Sequence, residues 1–239
     1  MTPPPKQSAL ADLPAARSAQ QAVAAGWHLP AVYTGLDAEA ALARVQAGLA
    51  DSSGCGRLQV EGEAAADLLA QVYGAAPEAV LAGLDTPRAQ IFRLRRDLFY
   101  LLLGAGDSAQ AAEALDAAAA GRGLHVTSTD YSHGHAAMCL VGPRAAAILS
   151  RLCGLDFSER AFPSLAARQT SVAKTRQLIV RHDLAGLPVF SLIGDRSLAP
   201  YVWGALLEAG RPEGLQPIGL RALAALAAGA KHPMVLELL

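Results

Sequence analysis

The chain has 239 residues, 52% hydrophobic and 17% charged, with a formal net charge of −1. Such a length buries a substantial core, and the composition leaves no long disordered middle. Near-neutral charge argues against a nucleic-acid footprint or a polybasic membrane patch, and no apolar run approaches the ~20 residues of a bilayer span.

Residues 1–30, rich in Pro, Ala, Ser and Gln, read as a flexible N-terminal arm without the apolar region of a signal peptide. LDAEAALARVQAGL has helical spacing and predicts a helix stopping at Gly48. GRLQVEG alternates as a strand, and EAAADLLAQVYG predicts a helix ending at Gly74. AQIFRLRR and DLFYLLLG read as a hairpin, followed by a helix capped at Asp107 or Ser108 and stopped by Gly121 or Gly123. AAMCLVG is a strand and PRAAAILSRLCG a helix with proline in its first turn. ARQTSVAKTRQLIVRHDL and LPVFSLIG are strands; a helix starts near Asp195, interrupted or delayed by Pro200. PIGLRALAALAAGAK is the last helix.

The pattern occurs twice. Leu58–Gly74 matches Met138–Gly154 without a gap, Gly62 falling on Gly142, Ala65 on Ala145, Leu69 on Leu149 and Gly74 on Gly154. Gly104 falls on Gly194 further on. Both halves read strand–helix–strand–strand–helix, and coincident pivot and stop glycines favour a true duplication over a chance likeness of Ala/Leu-rich helices. The expected fold is therefore α/β (α+β): two pseudo-duplicated βαββα halves around a central cleft, where small ligands bind. The turn at Gly142-Pro143 carries neither a dinucleotide nor a P-loop fingerprint and reads as structural.

Isolated candidates for chemistry are few. Asp130, His133 and His135 lie within six residues, and two histidines one residue apart could share a metal, but no third or fourth ligand is evident, so none is expected. His182-Asp183 could be a base and its orienter, or simply a strand end. Cys55 sits in a glycine loop as a reactive thiol or a small loop residue; Cys139 and Cys153 read as core fillers. Three cysteines without C-x-x-C argue against a disulfide framework and for a reducing cytoplasm. High Ala, Arg and Gly go with a GC-rich bacterial genome. Arg93, Arg95 and Arg96 beside Asp97 could bind carboxylates or form a solvated turn. Trp203 reads as core.

Three stretches, AGLADSSGCGRLQVEGEAAADLL, CLVGPRAAAILSRLCGLDFSERAFP and YVWGALLEAGRPEGLQPIGLRAL, resemble the folate-binding aminomethyltransferase superfamily. That group holds the glycine cleavage T-protein, the sarcosine oxidase gamma subunit and folate-dependent proteins of iron–sulfur cluster maturation. The resemblance runs from about Asp37 to Lys231 and implies tetrahydrofolate in a central funnel. It also implies an aspartate pair at positions that here hold Pro87 and Arg88, with Asp85 nearest. The family's Y-T-G-E turn matches DLAGL: Gly186 fits, while Leu184 stands for the tyrosine and Leu187 for the pterin-holding glutamate. Ala227 stands where the resemblance implies an arginine.

On this basis residues 31–239 are expected to form one folate-binding-type domain, with halves at about 50–123 and 124–210, a closing helix at 217–231 and no C-terminal barrel. Asp85, Arg88, Leu184, Gly186 and Leu187 are expected at the folate cleft, with no catalytic residue assigned. Tetrahydrofolate is the cofactor that the resemblance implies. Expected partners are larger flavoprotein subunits, with neither nucleic acid nor membrane. The function expected is a non-catalytic, sarcosine oxidase gamma-like subunit of an amine oxidase or demethylase complex in one-carbon metabolism. The alternative is a divergent tetrahydrofolate-dependent aminomethyltransferase or methyltransferase.

Overall fold

The computed structural model describes residues 4–227 of the chain. The first elements are β1 (Lys6–Gln7), α1 (Pro14–Ser18), β2 (Gln20–Ala24), β3 (Trp27–Val32) and α2 (Leu36–Val45). The first half continues with β4 (Gly48–Asp51), β5 (Cys55–Glu61), α3 (Ala65–Tyr73), β6 (Gly83–Asp85), β7 (Ala89–Arg95), β8 (Leu98–Ala105) and α4 (Ser108–Gly121). The second half holds β9 (Thr127–Asp130), β10 (His135–Val141), α5 (Ala145–Ser150), β11 (Ala167–Val172), β12 (Thr175–Arg181), β13 (Val189–Asp195) and α6 (Ala199–Gly210). Then follow β14 (Gln216–Pro217) and α7 (Leu220–Leu226).

Two large sheets carry the duplication. One is five-stranded, ordered β6-β7-β8-β5-β9; the other is six-stranded, ordered β11-β12-β13-β10-β4-β14. Strand alternation divides the side chains. In β8, Phe99, Leu101 and Leu103 pack with Leu68, Leu69 and Leu115 of the helices, whereas Leu98, Tyr100 and Leu102 face the space between the sheets. The second sheet repeats the plan, with Ile179, Phe190 and Leu192 under Ile148, Trp203 and Leu206. The inner faces meet in one apolar cluster that includes Phe92, Cys139, Leu178, Val180 and Leu184, closed by Ala40 and Ala43 of α2 and Leu223 and Leu226 of α7. Both faces of each sheet are covered, which explains near-continuous apolar strands such as HAAMCLV.

The halves exchange strands. β4, which leads into β5, pairs antiparallel with β10 of the other half; β9, which leads into β10, pairs antiparallel with β5. The two crossings are built alike. Ser52 donates its N–H to the Ala137 carbonyl at 3.0 Å, and Ala137 returns its N–H to the Ser53 hydroxyl at 3.2 Å. In the other crossing Tyr131 donates to the Arg57 carbonyl at 2.9 Å, and Arg57 returns its N–H to the Ser132 hydroxyl at 2.9 Å. Each crossing is turned by an aspartate two residues before its serine: Asp51 accepts from Ser53 N at 3.0 Å and Asp130 from Ser132 N at 2.7 Å. The matched pivots also serve matched purposes. Gly62 and Gly142 adopt φ of 150° and 121°, and each presses its α-carbon against the segment leading into the exchanged strand, His125–Val126 and Ala43–Ala47 respectively.

Several sequence expectations are displaced. The expected N-terminal arm carries ordered elements: β1 and β2 flank β3, and Leu10, Ala16, Ala24 and Trp27 are buried. Its polar composition hid a three-stranded sheet. The helix expected to reach Gly48 ends at Val45, because Gly48 and the following Leu-Ala-Asp are claimed by pairing with β10. The helix expected from Asp195 starts at Ala199, with Pro200 in its first turn, since β13 runs through Asp195 and a 3-10 turn of Arg196–Leu198 intervenes. The closing helix is seen as α7, and its expected extension past 227 lies outside the described residues.

Candidate functional site

Leu184 and Leu187 close a two-residue turn between β12 and β13. Each donates its N–H to the other's carbonyl, at 2.9 and 2.8 Å, and the residues between, Ala185 and Gly186, take φ of 48° and 82°. This double positive φ is the backbone of a tight hairpin turn, and it explains the glycine. Both leucine side chains join the inter-sheet apolar cluster, Leu184 fully buried and Leu187 packed against it. Asp85 lies opposite Gln90 on the edge strand β6 and is exposed. Arg88 is not gathered with them: its guanidinium donates to the Val72 carbonyl and sits 5.0 Å over the Tyr73 ring, at the end of α3. Ala227 is buried in the inter-sheet cluster.

The loose candidates resolve into separate structural duties. His133 stacks on Trp27 at 5.3 Å, while His135 stacks on Tyr131 at 4.5 Å and shares a 3.0 Å hydrogen bond with the Tyr100 hydroxyl. They serve different neighbours, and no metal-holding group of His, Cys, Asp and Glu occurs among the described residues. Asp183 has its own partner. It is clamped by the Arg181 guanidinium at 2.8 and 2.9 Å, and His182 meets the Ser191 hydroxyl at 2.8 Å. Cys55 is fully buried and its thiol pushed up to about 12, chiefly by burial, so it is a poor nucleophile. Arg93 donates to the carbonyls of Pro77, Glu78 and Arg96, and Arg95 pairs with Glu61, so both are occupied within the chain. Trp203 is core, as read.

The structure assembles instead a polar junction where the strands cross, which sequence reasoning missed. Arg57 is fully buried there, and its Nη2 donates to the carbonyls of Ser53, Ser132 and His135 at 3.0, 2.5 and 3.0 Å. Asp51, also buried, accepts from the Ser8 hydroxyl at 2.5 Å and from Ser53 N. The available signal was a D-x-S triplet just ahead of each duplicated strand, Asp51-Ser52-Ser53 before β5 and Asp130-Tyr131-Ser132 before β10, diluted by two further D-x-S triplets at Asp156 and Asp195.

Burial raises the Asp51 carboxyl above its ordinary value, against the lowering by its Ser8 and Ser53 hydrogen bonds. A group raised on folding contributes stability that is complete below its unfolded pKa and is lost as pH rises through the folded value. Asp51→Asn is therefore expected to remove a decline of stability beginning just above the usual carboxylate range. Urea unfolding of both proteins from pH 4 to 8 measures this, and parallel curves would show that Asp51 does not titrate as described.

Away from the junction, an apolar groove of about 760 Å³ runs along the outer side of α6, between Arg151, Lys174, Tyr201 and Glu208. It lies on the far side of the second sheet from the Leu184–Leu187 turn.

With this geometry in view, the family model of the GCVT N-terminal domain matches residues 88–237. The chain belongs to that family, within the folate-binding aminomethyltransferase superfamily. It is 30% identical over 230 residues to the aminomethyltransferase of Saccharopolyspora erythraea, covering 90% of this chain and 61% of that protein. The aminomethyltransferase of Symbiobacterium thermophilum is 31% identical over 224 residues, covering 87% and 60%. The chain thus spans about three-fifths of the curated relatives it matches. The glycine cleavage aminomethyltransferase T of Bartonella henselae shares the fold with a TM-score of 0.81 at 23% identity, over 95% of this chain and 63% of that one. A chain of the heterotetrameric sarcosine oxidase of Corynebacterium sp. U-96 gives 0.62 at 22%, over 74% and 91%. No described helix is long and apolar enough to cross a membrane.

Tetrahydrofolate is the cofactor this family implies, and the turn tests its fit. A pterin ring carries several donors and acceptors that must be met when buried, each unmet one costing about 1–3 kcal/mol. The turn offers Leu184 and Leu187 side chains, and its N–H and carbonyl groups at those residues already satisfy one another. These residues do not fit a pterin, so no chemical step is routed through one.

Proposed function

We propose that the chain is a non-catalytic member of the family, a cytoplasmic subunit-like domain that holds larger flavin-bearing chains of an amine oxidase or demethylase. The observation that carries this reading is the Leu184–Leu187 turn, apolar and self-satisfied where the resemblance implies a pterin-holding pair. Support also comes from the coverage of 91% of a sarcosine oxidase chain. Calorimetric titration of the purified chain with 5-formyltetrahydrofolate is expected to give no saturable heat up to millimolar ligand. Micromolar binding would overturn the reading and favour the second one, a divergent folate-dependent transferase. That alternative is supported by the aminomethyltransferase relatives and by the exposed carboxylate of Asp85. A stable complex with flavin-bearing chains in the native host is the positive counterpart.

A further inference from the structure

We infer that the Arg57 guanidinium is an internal binding site for one small monovalent anion of the size of chloride or formate. The inference is independent of whether folate binds. Arg57 is 0% exposed, and three of its polar contacts converge on Nη2 alone. The N–H groups of Nε and Nη1 are buried and meet no acceptor among the described residues. Guanidinium stays protonated in proteins, so this is a buried positive charge with donors to spare. A buried charge without a counter-ion is among the costlier arrangements a fold can hold. No ion pair of Arg57 occurs among the described residues. Asp51, the buried carboxylate of the junction, is taken up by Ser8 and Ser53, and Asp130, which accepts from Ser132 N, acts on Arg57 through space without an ion pair.

The duplication supplies an internal control. Ala137 occupies the position equivalent to Arg57 in the other crossing and makes the same pair of backbone hydrogen bonds with a methyl side chain. The strand exchange therefore has no need of a guanidinium. What Arg57 adds is charge and three unmet N–H bonds at one end of the junction, beside the Tyr100 and His135 pair. A small monovalent anion satisfies both at once. His135 and Tyr131, each partly exposed, mark the thin side through which exchange would occur.

The test is the melting temperature of the full chain at fixed pH and fixed sodium concentration, with chloride, formate or gluconate as the anion. Chloride or formate is expected to give a saturable rise, of roughly 5 °C or more at about a hundredfold excess over the dissociation constant, and gluconate none. Whichever of the two acts at lower concentration identifies the anion. Arg57→Gln is expected to lose the rise. Equal melting of the wild type in all three salts would overturn the proposal, because internal water then satisfies the guanidinium. So would an increase that never saturates, or one that persists undiminished in Arg57→Gln. Should Arg57→Gln fail to fold, the wild-type series decides alone.

Discussion

Gly142→Ala and Gly62→Ala are each expected to destabilise the chain by about 4 kcal/mol or more, whereas Gly154→Ala is expected to stay within about 1 kcal/mol. The first two glycines hold φ of 121° and 150°, where an L side chain is strained. Space is also denied. A Cβ on Gly142 would overlap the Ala43 carbonyl and meet Gln46 O at 2.7 Å, and one on Gly62 would overlap the His125 carbonyl and meet Val126 Cα at 3.0 Å. These are backbone atoms and cannot swing aside. Both belong to segments that feed the exchanged strands, so the substitution loosens the strand that the other half contributes to the same sheet as well as its own turn. Gly154, the aligned stop glycine, has open space for 4 Å around the place a methyl group would take, and no positive φ. Urea unfolding of the three variants checks this. Comparable stabilities for Gly142→Ala and Gly154→Ala would remove the pivots from the account of why the repeat keeps its glycines.

What could be read from the sequence follows the range of the interactions involved. The repeat was legible because its glycines and helix stops are local. Gly74 ends α3 with φ of 88°, and Gly62 and Gly142 enforce the same pivot. The exchange was not legible. β4 is four residues, GLAD, trailing a helix and buried on both sides, and its partner lies nearly ninety residues on in the other half. β9, TSTD, has no apolar alternation to announce it. The apolar Leu184–Leu187 turn was visible because hairpin turns are short and carry their own glycine.

Arg57 failed for a different reason. The strand GRLQVEG alternates faithfully, and alternation assigns Arg57, Gln59 and Glu61 to one face. That face reads as solvated until the loop through Ser132 and His135, which joins β9 to β10, closes on Arg57. Burial imposed by a distant segment leaves no trace in a strand's own pattern. The same logic explains the buried start of the chain. Trp27, Leu29 and Ala31 are enclosed because α7, nearly two hundred residues later, packs on β3.

The side chain that fastens these two distant segments is Glu39, and its loss is expected to cost about 3–5 kcal/mol, or roughly 10 °C in melting temperature. Oε1 of Glu39 accepts from the N–H groups of Tyr33, Thr34 and Gly35 at 2.7, 2.7 and 3.2 Å, gathering the chain between β3 and α2. Oε2 accepts from Gly219 N at 2.7 Å, at the entry of α7. One buried carboxylate thus satisfies four backbone donors on two segments 180 residues apart. Glu39→Ala leaves Gly219 N unmet in a buried place and deprives the half-buried Tyr33–Gly35 turn of its common acceptor, and hydrogen bonds to a charged acceptor are the more expensive ones to break. Glu39→Gln keeps one acceptor oxygen and turns the other into a donor facing a donor, so an intermediate loss is expected, concentrated on whichever segment the amide nitrogen faces. Hydrogen exchange at Gly219 distinguishes a local clasp from general destabilisation. In Glu39→Ala its amide is expected to exchange far faster, while amides of β7 and β8, in the opposite sheet, change only as much as global stability does. Uniform acceleration across both sheets would mean that Glu39 holds the whole fold rather than this seam, and an effect below about 1 kcal/mol would mean that the backbone donors find other acceptors once it is gone.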